Sequence, residues 1–218
     1  MELSNELTVF LGRYRVLLSL LVLLISVLMM MTYYSRKLRV FEIITVSTLS
    51  AVSVAARIAL FFVPFFKPCS AIVIISGSIF GPYVGSFIGA LTGLLSNIVL
   101  GQGTWTPFQM LAWGLLGFLA GFLKEHRLPA LIFGFLSVVI FYGGIMNFYS
   151  MLVSGNVYST RMFWLFEFHG LPLDIIHGLV TSLFIFFGWY PIRKKLIRIK
   201  TKYGVLSKAG MYSDILNL

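Results

Sequence analysis

Residues 71–100 read AIVIISGSIFGPYVGSFIGALTGLLSNIVL, and the fold turns on how this stretch is divided. It carries no charge and is too long for a single membrane-crossing helix, which needs about 20 mostly apolar residues. Gly81-Pro82 stands in its middle, where a proline without an N–H interrupts helical hydrogen bonding. The stretch is therefore expected to form two short helices, at 69–80 and 83–100, joined by a tight turn.

Apolar runs continue on both sides, at 16–34, 40–62, 107–123, 128–150 and 172–192. Only 11% of the 218 residues are charged and 59% are hydrophobic, whereas a soluble domain carries roughly 25% charged residues to coat its surface. The expected class is an all-α integral membrane protein: a six-helix bundle plus one extra N-terminal transmembrane helix. The expected domains are an N-terminal extension at 1–39, a membrane domain at 40–198 and a basic cytoplasmic tail at 199–218. Arg13 and Arg15 precede the first run, but no small-residue cleavage site follows Met31, so an uncleaved anchor fits better than a signal peptide.

A formal net charge of +10 raises the question of nucleic acid, and the positions of the charges argue against it. Arg36, Lys37 and Arg39, then Lys124 and Arg127, then Arg193, Lys194, Lys195, Arg198, Lys200 and Lys202 cluster at segment ends. That is the positive-inside pattern of a cell-membrane protein. Placing those clusters inside gives the six helices from Val40 onward cytoplasmic ends on both sides and puts the N-terminus outside. The joint at 151–171, rich in aromatic residues, is then external, as a lid or an interfacial segment.

Small residues recur every four positions. Gly77, Gly81, Gly85, Gly89 and Gly93 make a groove that admits another helix backbone, with tight internal packing the plainer reading and a partner surface the other. Gly114, Gly117 and Gly121 repeat the theme, and Ser47, Ala51 and Ala55 form a similar strip that could pack inside or slide against a partner. The run Ser96 to Gln109 offers neutral hydrogen-bonding groups and a Trp at the outer surface, suited to an uncharged or zwitterionic ligand or to anchoring a loop. Ionisable groups inside spans are costly and usually paired or functional. Arg57 and Asp174 are expected to pair with each other, and His177, three residues from Asp174, shares its helix face for ligand binding or for a helix–helix hydrogen bond. Glu167 and His169 are expected to be solvated.

No G-x-x-x-x-G-K-[ST] loop, no metal-ligand spacing and no G-x-S-x-G nucleophile occur, so no cofactor or metal is expected and ATP hydrolysis by this chain is not.

From about Val40 to Arg198 the chain resembles the S components of energy-coupling factor (ECF) transporters. The resemblance rests on six helices with cytoplasmic ends and on Ala51-x-x-x-Ala55. It rests also on FKPCSAIVIISGSIFGPYVGSFIGALTGLLSN (66–97) and GQGTWTPFQMLAWGLLG (101–117). It implies a subunit that binds a vitamin from outside, joins a T component and two ATPase subunits, and topples to release its cargo. Ala51 and Ala55 would contact the T component. Binding groups in the family come from outer helix ends and outer loops. The candidates here are Lys67, Asn97, Gln102, Trp105, Thr106, Gln109, Trp113, Asn147, Asp174 and His177. GQGTWTPFQM looks most like S components assigned to cobalamin, which would make His177 or Cys69 a candidate cobalt ligand. The alternatives are an S component for another vitamin, a lipid-modifying membrane enzyme, which would need Arg57, Asp174, His177 and Glu167 to converge, and a secondary transporter, for which intramembrane carboxylates and an inverted repeat are lacking.

Overall fold

The structure is a computed structural model that describes residues 17–28, 31, 40–64, 66–123, 125–154 and 159–203. Among these residues every regular element is helical. A short helix α1 (Leu17–Leu28) is followed by α2 (Val40–Ala59), α3 (Cys69–Phe80), α4 (Pro82–Leu100) and α5 (Thr106–Ala120). Then α6 (Arg127–Ser137) runs through a π-helical turn (Val138–Gly143) into α7 (Gly144–Val153), and α8 (Thr160–Lys202) completes the fold. Among the described residues four continuous helical stretches are long and apolar enough to cross a bilayer: Val40–Ala59, Pro82–Leu100, Arg127–Val153 and Thr160–Lys202.

The division at Gly81-Pro82 is as the sequence indicates. Gly81 adopts φ 96°, a backbone region closed to side-chain-bearing residues, and Pro82 starts α4 where its missing N–H costs nothing. The 12 residues of α3 span about 18 Å, well short of a bilayer core of about 30 Å. Such a short helix is tolerated because protein, not lipid, surrounds it: every residue of α3 except Ile72 is buried.

The glycine ladder packs internally. The backbone of α5 lies in the groove left by α4, with Gly85 against the Gly117 carbonyl, Gly89 against the Trp113 carbonyl and Gly93 against Met110. Gly77 of α3 meets the same Gly117 carbonyl, so three helices share one close contact. The strip on α2 does the opposite: Ser47, Ala51 and Ala55 are exposed, while Ser50, Ser53 and Arg57 on the other face are buried.

The joint read at 151–171 is shorter than expected. Ser159 is extended, its hydroxyl accepts from the Met162 N–H at 3.2 Å, and α8 starts there instead of at Pro172. Gly170 and Pro172 look like a boundary in sequence. In a membrane protein a proline inside a helix is accommodated by neighbouring helices, so α8 continues through Pro172 and Pro191 for 43 residues, about 64 Å. Its length is about twice that of a bilayer core of about 30 Å, and it also passes the expected boundary at 198. The rest of the expected tail, 204–218, lies outside the described residues, as do 29–30 and 32–39 of the first run and its basic end.

In the described part of the extension, Val22 is buried with Phe108, Met151 and Leu152, and the Ser26 hydroxyl points to the Pro107 carbonyl at 3.4 Å. α1 is thereby docked on α5 and α7. At the other end of the bundle Glu125 pairs with Arg193 and Lys200, each at 3.3 Å, and Lys200 also donates to the Ile79 carbonyl at 2.5 Å. The groups expected on the cytoplasmic side therefore meet at one end.

Candidate functional site

At the opposite end, the one expected to face outward, the tips of α2, α3, α4, α5, α7 and α8 bring most of the candidate residues into two adjoining groups that share Trp113.

Arg57 centres the first. Arg57 is 8% exposed, and its guanidinium meets no carboxylate among the described residues. One terminal nitrogen donates to the Ser96 hydroxyl and to Asn97 Oδ1 at 2.9 Å, and the other donates to Gln109 Oε1 at 3.1 Å. Asn97 Nδ2 in turn donates to Gln109 Oε1 at 2.8 Å and to the Thr106 hydroxyl at 2.9 Å. The guanidinium carbon lies 4.6 Å from the centre of the Trp113 ring. Charge-assisted hydrogen bonds and a ring face together replace the hydration that burial removes. The expected ion pair with Asp174 is not formed: amide and hydroxyl oxygens of α4 and α5 are nearer to Arg57, and Asp174 has another partner.

That partner is Asn147, in the second group. Asn147 Nδ2 reaches Asp174 Oδ2 at 2.9 Å and Glu167 Oε2 at 3.3 Å, so one amide bridges two carboxylates of α8. The spacing of seven between Glu167 and Asp174 is two helical turns and puts both on one face. Gly170, between them, leaves room for the Asn147 amide, and Gly143 leaves room for the Asp174 carboxyl. Glu167, expected to be solvated, is half-buried, and its Oε1 has no hydrogen-bond partner. The continuation of α8 past Pro172 is what brings it in. Had the sequence been read as one helix from Ser159, the common face of Glu167, Gly170 and Asp174 would have shown it. His169 is exposed, as expected.

Beside the carboxylates is a knot of rings. Tyr142 packs against Trp113 at 5.0 Å between centroids and meets His177 edge-on at 4.8 Å. Its hydroxyl accepts from Lys67 Nζ at 3.2 Å, and that ammonium lies 4.8 Å from the ring centre. The Ser70 hydroxyl accepts from Trp113 Nε1 at 2.9 Å and bonds His177 Nε2 at 2.9 Å. The Ser–His contact is not arranged for nucleophilic chemistry, because His177 Nδ1 has no partner to orient it and both residues are fully buried. It pins α3, α5 and α8 together. Cys69 is also fully buried, and its carbonyl accepts from the Ser53 hydroxyl at 3.4 Å.

Two candidates stand apart. Gln102 is exposed and closes the end of α4, donating to the Leu94 carbonyl at 3.0 Å and accepting from the Thr106 hydroxyl at 2.8 Å. Trp105 is 37% exposed and lies over Gly103 at the outer turn. Ser70 and Tyr142 are members of the site that sequence reasoning did not single out, and Glu167 is one that it expected to be solvated. Together the groups bring ring faces, hydroxyls, three side-chain amides, two cations and two carboxylates to one end of the bundle.

The family model for the ECF-type riboflavin transporter, S component, matches residues 37–183. Comparison with curated proteins and with solved structures gave no match. The matched span covers well over half of the chain and contains both groups of the site. It bears out the resemblance to S components and leaves the cobalamin assignment unsupported. The chain is a multi-pass membrane protein and belongs to the family of ECF-type riboflavin transporter S components.

Proposed function

We propose that this chain captures a vitamin from the outer side of the cell membrane and hands it to a transmembrane T component driven by two ATPase subunits, with riboflavin its first-choice ligand. The observation that carries this reading is the juxtaposition of the Trp113–Tyr142–His177 rings with Asn147, Glu167 and Asp174 at the outer end of the bundle. A planar heterocycle suits the rings, where aromatic contacts are worth about 0.5–1.5 kcal/mol each beyond area burial. A hydroxylated chain suits the carboxylates, which accept hydrogen bonds, and the amide, which can do both. The riboflavin named by the matching family combines those two chemistries. The exposed Ser47–Ala51–Ala55 strip, on the face of α2 remote from Arg57, supports T-component docking there.

Cobalamin is the second reading, favoured by the composition of residues 101–110 around Trp105. A corrinoid is far larger than a flavin, and it would have to part α5 from α7 and α8 where Trp113, Tyr142 and His177 now touch.

Calorimetric titration of the purified chain, without ATP or an ion gradient, against riboflavin, cobalamin and the remaining B-group vitamins tests this. Tight binding of riboflavin supports the first reading and tight binding of cobalamin the second. Silence across the panel would refute vitamin capture.

A further inference from the structure

Trp113 is fully buried, so any ligand ring that stacks on it must first displace a group already there. Two described groups fill that role, the Arg57 guanidinium and the Tyr142 ring, and they are held very differently. Arg57 makes three hydrogen bonds to buried side chains of α4 and α5. Tyr142 is tied through its hydroxyl to Lys67, a half-buried residue of the joint before α3. Its backbone is also the more adaptable. Tyr142 lies in the π-helical turn Val138–Gly143, and two glycines, Gly143 and Gly144, follow it. A π-turn holds one residue more than an α-turn, and returning that residue to α geometry turns the side chain by about 100° around the helix axis.

We infer that Tyr142 is an internal plug: its ring occupies the stacking slot on Trp113 until a ligand ring takes its place, and Lys67 holds it shut. The inference rests on the vitamin-capture reading and adds a gating residue to it. Displacement exposes the Trp113 face and leaves Asn147, Glu167 and Asp174 beside the vacated slot. Entry is then limited by the fraction of time the plug is out, which lowers apparent affinity through the association rate.

The test is stopped-flow association of riboflavin with the full-length chain in detergent, read by quenching of flavin fluorescence. Tyr142→Phe keeps the ring and loses the hydroxyl tie, and Lys67→Met keeps the apolar stem and loses the charge. With one hydrogen bond contributing a net 0.5–1.5 kcal/mol, each variant should raise the association rate about 2- to 12-fold with an unchanged dissociation rate. The double variant should gain no more than the better single one, because both remove one interaction. Unchanged or slower association with faster dissociation would overturn the plug and make Tyr142 a wall of the occupied site. Failure of the unsubstituted chain to bind any vitamin would overturn the capture reading as well, so the two failures are distinguishable.

Discussion

Replacing Gly89 by alanine and, separately, Gly114 by alanine should have opposite effects on stability, although the two glycines sit on facing helices of one contact. A Cβ at Gly89 would lie 2.5 Å from the Trp113 carbonyl carbon and 2.8 Å from the Gly114 nitrogen. Ordinary contact begins at 3.4 Å and the Trp113 carbonyl oxygen is nearer still, so α5 must retreat by more than an ångström to restore it, and what has to move is backbone. Overpacking of this kind costs about 1–3 kcal/mol, and the upper end applies when no side chain can turn aside. Alanine returns up to ~1 kcal/mol of helix propensity, leaving a net loss of about 2 kcal/mol. At roughly 2–4 °C per kcal/mol for a chain of this size, the melting temperature should fall by about 4–8 °C. A Cβ at Gly114 meets only the Ser86 carbonyl at 3.5 Å, the Ser86 hydroxyl at 3.6 Å and Ala90 at 3.8 Å. That substitution should be neutral or raise the melting temperature by up to about 4 °C. Intrinsic tryptophan fluorescence during heating in one detergent measures both. Equal melting temperatures for the two variants, or a loss at Gly114 matching that at Gly89, would refute the account of the glycine groove.

Three further outcomes are expected. Ala51→Trp or Ala55→Trp, both on the exposed face of α2, should abolish cellular uptake while the purified variant keeps its ligand affinity and melting temperature. Gly170→Ala should push the Asn147 amide away from the two carboxylates and weaken ligand binding about 10-fold, at a stability cost below ~1 kcal/mol because a side chain can yield; calorimetry and thermal melting separate the two effects. Glu125→Gln removes its ion pairs with Arg193 and Lys200, yet side chains about one-third exposed contribute at most about 1 kcal/mol per pair, so the melting temperature should drop by only a few degrees, and by less in high salt.

Helix positions were legible wherever a local signal was strong. Gly81-Pro82 marks its turn because φ 96° admits only glycine and because proline is at home in a first helical turn. The four-residue spacing of glycines announced close backbone packing, and the backbone of α5 provides it. Signals that depend on three-dimensional neighbours misled. Arg57 and Asp174 were expected to pair because opposite charges in hydrocarbon should meet, but neutral oxygens on α4 and α5 satisfy Arg57 first. Pro172 reads as a helix boundary only if water is the surrounding solvent, and missing its continuation hid Glu167 from the site. The π-turn has no sequence signature of its own, so the placement of Tyr142 on Trp113 came only with the coordinates.

The shared close approach of Gly77, Gly85 and Gly117 makes α3, α4 and α5 one stiff jaw, with no slack for its members to slide. Ser70 and Trp113 are mounted on it, while Tyr142 of the π-turn, Asn147 of α7 and Glu167, Asp174 and His177 of α8 ride on the other jaw. Whatever is gripped is therefore gripped across the seam between two groups of helices, and the 43-residue rod of α8 carries its carboxylates toward one end of that seam and its basic tip toward the other.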